Sequence, residues 1–276
     1  MVFGWRSFGF GIAVLLFAAQ ASAQSSAPLA DWQNAPGIVL RPLGGAMPDW
    51  DFTVGMGVAS LPAYEGSNSN RLAPAPEFDV RYKDIAFASM GEGIGVNILR
   101  GATYRAGVAM TYDMGREHNA ATRLSGTGNV DPALEPKLFG EIAFLPVIFH
   151  ADIRARVTGQ SGVIGDLSAY MPVVANETLQ VFVGPSVTFA DDNYMNTYFG
   201  ISPQHAQPQS MFRPYTANGG IKNVNLGVSA FYHFDKNWFV SASAGIEKLL
   251  GSAASSPITQ TSYQLGAAAV LCYTWE

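Results

Sequence analysis

Four histidines, a single cysteine and a thin scatter of carboxylates are the side chains of this 276-residue chain that could make or break bonds. A hydrolytic site needs a nucleophile within hydrogen-bond reach of a histidine base, and a third group to orient that base. Ser229 and His233 come nearest, four residues apart and on one face if their segment is extended. His118 and His205 fall in connecting segments, and His150 sits in a row of charges. His150 and His233 would point inward and not to lipid, so the chain is read as no enzyme, with a lipid-facing hydrolase as the third-ranked option. Asp191 and Asp192 open the run Asp-Asp-Asn-Tyr-Met-Asn-Thr-Tyr-Phe-Gly. That run lacks the alternating acids and distal Glu of a calcium loop. The two aspartates instead suit the cap of a short helix that stops at Gly200, with Tyr194 and Tyr198 one turn apart on one face. Cys272 has no intramolecular disulfide partner and reads as a small packing residue. No metal-ligand spacing, phosphate-binding glycine loop or basic aromatic groove is present, so no cofactor and no metal is expected. The net charge of −5 argues against a nucleic-acid partner.

A second group of chemically able residues is more regular. Asp79, Arg81, Arg105, Glu141, His150, Asp152, Arg154 and Arg156 sit at alternate positions within apolar stretches and mix both signs. Such a set has two uses: an ion-paired filling, or the lining of a small polar channel.

The elements that place these charges follow from a period of two. From Asn223 to Phe234 the residues Val, Leu, Val, Ala, Tyr, Phe alternate with Asn, Asn, Gly, Ser, Phe, His, and 238–247 and 263–275 repeat the pattern. Alternation at every second residue is the signature of a strand with one greasy and one wet face. Further strands are expected at 50–59, 75–82, 85–90, 93–99, 102–112, 138–144, 147–157, 163–171 and 179–189. That makes about twelve, or ten if the short pair within 85–99 is something else. Charged residues are only 13% of the chain, against about 25% in ordinary soluble domains. Spanning hydrocarbon demands that every backbone polar group be paired internally, which leaves helices or closed barrels. No stretch after the amino terminus offers the roughly 20 apolar residues of a membrane helix. The expected fold is therefore an all-β, antiparallel up-and-down transmembrane barrel in the outer membrane, contacting its lipid and lipopolysaccharide, with one short helix in a long outer loop.

Connections expected on the inner side are short, such as Lys83-Asp84 and Asp235-Lys236-Asn237, whereas 60–74, 113–133, 190–220 and 248–260 are long and belong outside. Trp50, Phe52, Tyr82, Phe144, Phe234, Trp238, Tyr273 and Trp275 all fall at inner strand ends, where an aromatic belt is expected. Residues 1–23 read as an export signal, with Arg6, an apolar core and Ala21-Ser22-Ala23 before a cleavage point between Ala23 and Gln24. Residues 24–49, rich in proline, read as a periplasmic leader, and 50–276 as the barrel.

Four runs in order carry a resemblance. They are Ala190 to Pro203, Tyr64-Glu65-Gly66-Ser67 with Arg71, Pro74 and Pro76, Gly219 to Val224, and Lys248 to Ile258. On these the chain resembles the MltA-interacting protein (MipA)/OmpV family of Gram-negative outer-membrane proteins. That resemblance implies a scaffold joining a murein-degrading lytic transglycosylase to a murein-synthesising penicillin-binding protein, or, as the alternative, a narrow porin-like channel for small polar solutes. It marks Asp191, Asp192, Tyr194, Met195, Tyr198, Phe199 and Gly200 as the family loop. Barrels of this kind usually end on an aromatic residue, whereas here Glu276 follows Trp275. Murein lies in the periplasm while the family loop is expected outside, so that loop either folds inward as a plug or serves something other than murein partners.

Overall fold

A computed structural model describes residues 49–204 and 212–275. The expected signal and its Ala23/Gln24 junction, the leader up to Pro48, His205 and Glu276 lie outside the described residues.

Twelve strands form one closed antiparallel ring in which each pairs with its neighbours in sequence and the first closes on the last. They are β1 (Trp50–Pro62), β2 (Asn70–Tyr82), β3 (Ala86–Ser89), β4 (Gly93–Arg100), β5 (Tyr104–Asp113) and β6 (Ala133–Phe144), then β7 (Val147–Arg156), β8 (Gly162–Ala175), β9 (Leu179–Ala190), β10 (Gly220–His233), β11 (Trp238–Leu249) and β12 (Tyr263–Trp275). The short pair within 85–99 is a true hairpin, which decides for twelve strands over ten. Ring closure pairs the backbone around the barrel, the condition for crossing hydrocarbon with strands, except along the outer stretch of β2 beyond the end of β3. Among the described residues no helix is long and apolar enough to cross a membrane.

The outward positions carry the apolar set. Met56, Val58, Leu72, Ile94, Leu138, Leu226 and Leu265 are all exposed, a surface that suits lipid and not water. At the inner end the rings of Tyr82, Trp50, Phe52, Trp275, Tyr273 and Trp238 follow one another at centroid distances of 4.8, 5.7, 5.4, 5.7 and 5.0 Å. They form an aromatic belt across β2, β1, β12 and β11. The fold and the lipid-matched exterior are those of an outer-membrane protein.

Several strands run further than the alternation suggests. β2 starts at Asn70 and passes through Pro74 and Pro76, and β8 continues through Pro172 to Ala175. Proline interrupts a sheet only where its missing N–H is needed for a ladder bond. Pro172 lies beyond Ile148 and Tyr170, the last pair of the β7–β8 ladder, so no ladder bond needs its N–H. The outer loops also hold more helix than the single one expected: α1 (Asp192–Phe199), a four-residue α2 (Gly251–Ala254) and a 3-10 turn at Thr122–Leu124. Turns this short carry no periodic signal from which to read them.

The inner face is uneven around the ring. β2 to β8 supply most of the buried charge, whereas β10 to β12 supply mainly Asn223, Asn225, Ser229, Ser241, Ser243 and Gln264. At the closing seam the inward residues are small and apolar: Gly57 and Ala59 of β1 lie against Val270 and Ala268 of β12. The strands approach so closely there that a Cβ on Gly57 would fall 2.0 Å from the Ala269 carbonyl oxygen.

Candidate functional site: a charged interior under a looped cover

Inward positions on neighbouring strands stand side by side, so alternation in sequence becomes contact in space. Arg81 binds Asp79 at 2.7 Å and Glu92 of the β3–β4 turn at 2.5 Å. Glu92 also binds Arg105, which grips both carboxylate oxygens of Glu141 on the opposed position of β6. Glu141 meets His150 Nδ1 at 2.8 Å, and His150 Nε2 meets Asp152 at 3.1 Å. Arg154 lies 3.5 Å from Asp152 through Nε and donates from Nη2 to Asp166, which accepts in turn from the Thr188 hydroxyl. One unbroken chain of polar contacts thus runs from β2 to β9. Phe87 and Phe139, edge to face at 5.7 Å, support it, with the Arg105 guanidinium 5.4 Å from the Phe139 ring.

Seven of the eight charges singled out from sequence belong to this chain; Arg156 lies at its outer end. Glu92, Asp113, Asp166 and Thr188 complete the arrangement and escaped the sequence reading. Asp166 and Thr188 occupied inward positions of strands already recognised, so face parity could have found them. Glu92 lay in what read as a two-residue connection, and nothing in its surroundings marked it as inward.

The cover is built from four outer loops. α1 starts at Asp191, whose Oδ1 accepts from the backbone N–H of Tyr194 at 2.8 Å and of Val163 at 3.0 Å. Asp192 Oδ1 accepts from Gly219 N–H at 2.5 Å. Both acids of the family loop are therefore occupied in shaping it, one as the helix cap and one as a tie to the returning chain. The helix ends at Gly200, whose N–H reaches the Asn196 carbonyl. Tyr194, Met195, Tyr198 and Phe199 are all buried. On one side the Lys222 ammonium of β10 lies 5.7 Å from the Tyr194 ring. On the other the Tyr198 hydroxyl donates to Asp113 at the end of β5 and accepts from Arg156 at the end of β7. Through Tyr194 toward β10 and Tyr198 toward β5 the helix sits over the outer mouth of the ring.

Burial, and then Asp113 beside it, holds the Tyr198 phenol well above its usual range; burial and the neighbouring Tyr198 do the same to Tyr194. Both stay protonated, and Tyr198 remains a hydrogen-bond donor. A second apolar cluster of Tyr64, Leu124, Ile201, Phe212 and Ile258 joins the loops after β1, β5, β9 and β11. Tyr64 donates to the Ile258 carbonyl at 3.0 Å, Arg123 to the Pro257 carbonyl at 2.6 Å, and Ser256 to the Phe199 carbonyl at 2.6 Å. Lys222 pairs with Glu65 beneath them.

The Ser229 and His233 pair offers no comparable construction. His233 stacks on Phe239 at 5.0 Å near the inner rim, while Ser229 is fully buried midway along β10.

A model of the family described as MltA-interacting protein MipA matches residues 54–275, which is nearly the whole barrel. No curated protein matches the chain. Similar solved structures include the translocator domain of autotransporter NalP from Neisseria meningitidis, 10% identical over 94% of this chain and 99% of that chain, with a TM-score of 0.37. Others are the CymD monoaromatic hydrocarbon channel, 12% identical over 90% and 96% with a TM-score of 0.41, and OmpT of Vibrio cholerae, 8% identical over 82% and 97% with a TM-score of 0.37. At such scores the likeness carries no argument about function, and the fold rests on the strand pairings themselves.

Proposed function

The chain belongs to the MltA-interacting protein family, and from that premise we propose that it is a non-enzymatic, non-conducting outer-membrane anchor for murein-remodelling enzymes. The family's description names an interaction with MltA, and the resemblance makes that partner a lytic transglycosylase, with a penicillin-binding protein as the second client. The observation that carries the anchor over the channel is the chain of ion pairs from Asp79 to Thr188, roofed by the four interlocked loops. A barrel filled by its own charges is stiff and a poor path for solutes. In this reading the family loop is a plug, and periplasmic clients meet the inner turns and the leader 24–49.

Crosslinking in cells followed by purification in detergent tests it. Recovery of a lytic transglycosylase together with a penicillin-binding protein is the expected result; their absence from the crosslinked material would end the anchor reading. For the plug, deletion of residues 193–209 should raise single-channel conductance in planar bilayers, and unchanged conductance would refute it.

One observation favours the channel as a second reading. Ser168 Oγ, Ser186 Oγ, Gln180 Oε1 and Ser243 Oγ are buried on the inner faces of β8, β9 and β11 without a protein partner, as groups that hold water are. Solute flux into liposomes that changes with substitutions at Arg154 or Arg156 would favour it.

A further inference from the structure

On one side of the ring the wall is low. β3 ends at Ser89, opposite Asp79, so the outer stretch of β2, residues 70–78, has β1 along one edge and no strand along the other. This stretch lies at hydrocarbon depth, since Pro74 and Pro76 pair with the lipid-exposed Val58 and Met56.

The direction of each main-chain group on β2 can be read from its bonds. The Phe78 carbonyl accepts from Met90 N–H and the Tyr82 carbonyl from Ile85 N–H, both on the side of β3. The register with β1 is unbroken from Tyr82 to Asn70, so every even-numbered residue aims its N and O at that side. Leu72, Pro74 and Pro76 therefore point theirs at the open edge. The two prolines have no N–H to present. What remains is a row of carbonyl acceptors almost without donors.

A strand cannot add to such an edge, because pairing needs both donors and acceptors. Nor do bare carbonyls sit in hydrocarbon unless something polar meets them. Glu77, on the inner face of the same stretch, sets a carboxylate beside the row, in the field of Asp79 and Arg81. Below the notch the outward residues of β3 are Ala86 and Ala88. Flanked by Val80, Ile94 and Met110, they leave an open apolar groove of about 640 Å³ on the lipid face.

We propose that the notch and groove bind an amphiphile carrying an ammonium group from the outer leaflet. Its chain lies over Ala86 and Ala88, and its ammonium donates to one carbonyl of the row formed by Leu72, Pro74 and Pro76, with the Glu77 carboxylate as its counter-charge. The assignment is independent of the anchoring role and survives or fails without it.

The test uses the mature protein in dodecyl maltoside micelles, with Cys272→Ser and a bimane on Leu72→Cys. Nitroxide-labelled dodecylammonium should quench at concentrations at least tenfold below nitroxide-labelled dodecyl sulfate. With the bimane on Leu226→Cys, elsewhere on the lipid face, the two should quench alike. Glu77→Gln should shrink the difference at least threefold, and Ala75→Lys, on the same inner face, should abolish it. Equal quenching at position 72, or a preference undiminished in both variants, overturns the proposal. So does concentration-dependent dimerisation that shields position 72, which would place a second copy of the chain at the edge.

Discussion

Asp152 and Asp166 stand directly opposite each other on β7 and β8, two acids in the position where a sheet least tolerates like charge. Arg154 makes the pairing possible, because it projects from the same strand as Asp152 and reaches both carboxylates.

Removing that guanidinium should therefore cost more than one contact. Arg154→Met leaves two buried acids facing each other, and breaking a buried pair by deleting one partner typically costs about 3–5 kcal/mol. A lower urea midpoint in detergent, followed by tryptophan fluorescence, is the expected outcome. Adding Asp166→Asn should restore most of the loss, and a single variant as stable as the parent would show that the network is not structural.

Tyr198 ties the cover to the wall through one hydroxyl. Tyr198→Phe keeps the ring and removes the bonds to Asp113 and Arg156, each of the charge-assisted kind worth about 1.5–3 kcal/mol. Faster cleavage of the 190–220 loop by added protease should follow, with the barrel itself intact. The phenol's upward shift sets the pH dependence. Its contribution is fully present below the unfolded phenol's value of about 10 and falls as pH rises past it, because the unfolded chain ionises first. Protection of the loop should thus hold to about pH 10 and then decline, and the decline should be smaller in Tyr198→Phe.

Pro74 and Pro76 guard the open edge of β2. Replacing both by valine returns two donors to a row of acceptors and makes the edge competent to pair. Light scattering in detergent should then report dimers or larger species where the parent is monodisperse. A variant that remains as monodisperse as the parent would mean that the prolines serve another purpose.

Asp191 caps α1 and also holds Val163 N–H. Asp191→Ala should destabilise the helix by about 0.5–2 kcal/mol. Amide exchange should accelerate over 192–199 while β6 and β7 remain protected.

Most of the wall was legible from alternation, because a strand with lipid on one side and polar groups on the other writes its period directly into the chain. The expected strand 147–157 is the clearest case, and its ends agree with β7 to within a residue. The outer start of β2 was not legible. Pro74 and Pro76 look like a break until it is known that no neighbour needs their N–H groups. The interior charges were legible as a face but not as a circuit, since only register tells that Glu141 meets both Arg105 and His150. The cap at Asp191 and the stop at Gly200 were readable from residue type. That α1 sits over the mouth was not, because the contacts that hold it come from Asp113, Arg156 and Lys222, far away in sequence.

The seam between β1 and β12 joins residues about two hundred positions apart, and the middle of its inner side is small: Gly57, Ala59, Ala268 and Val270. The ion pairs, by contrast, mostly join segments that follow one another along the chain, as with Glu141 and His150 or Arg154 and Asp166. The electrostatically demanding work can be finished within successive hairpins while water still has access. The last event, in which the two ends of the sheet meet, then asks mainly that small groups shed their hydration, with the Thr53 and Thr274 hydroxyls as the polar contact across it. Pulse-labelling during refolding should accordingly show β5 to β8 protected before β1 and β12.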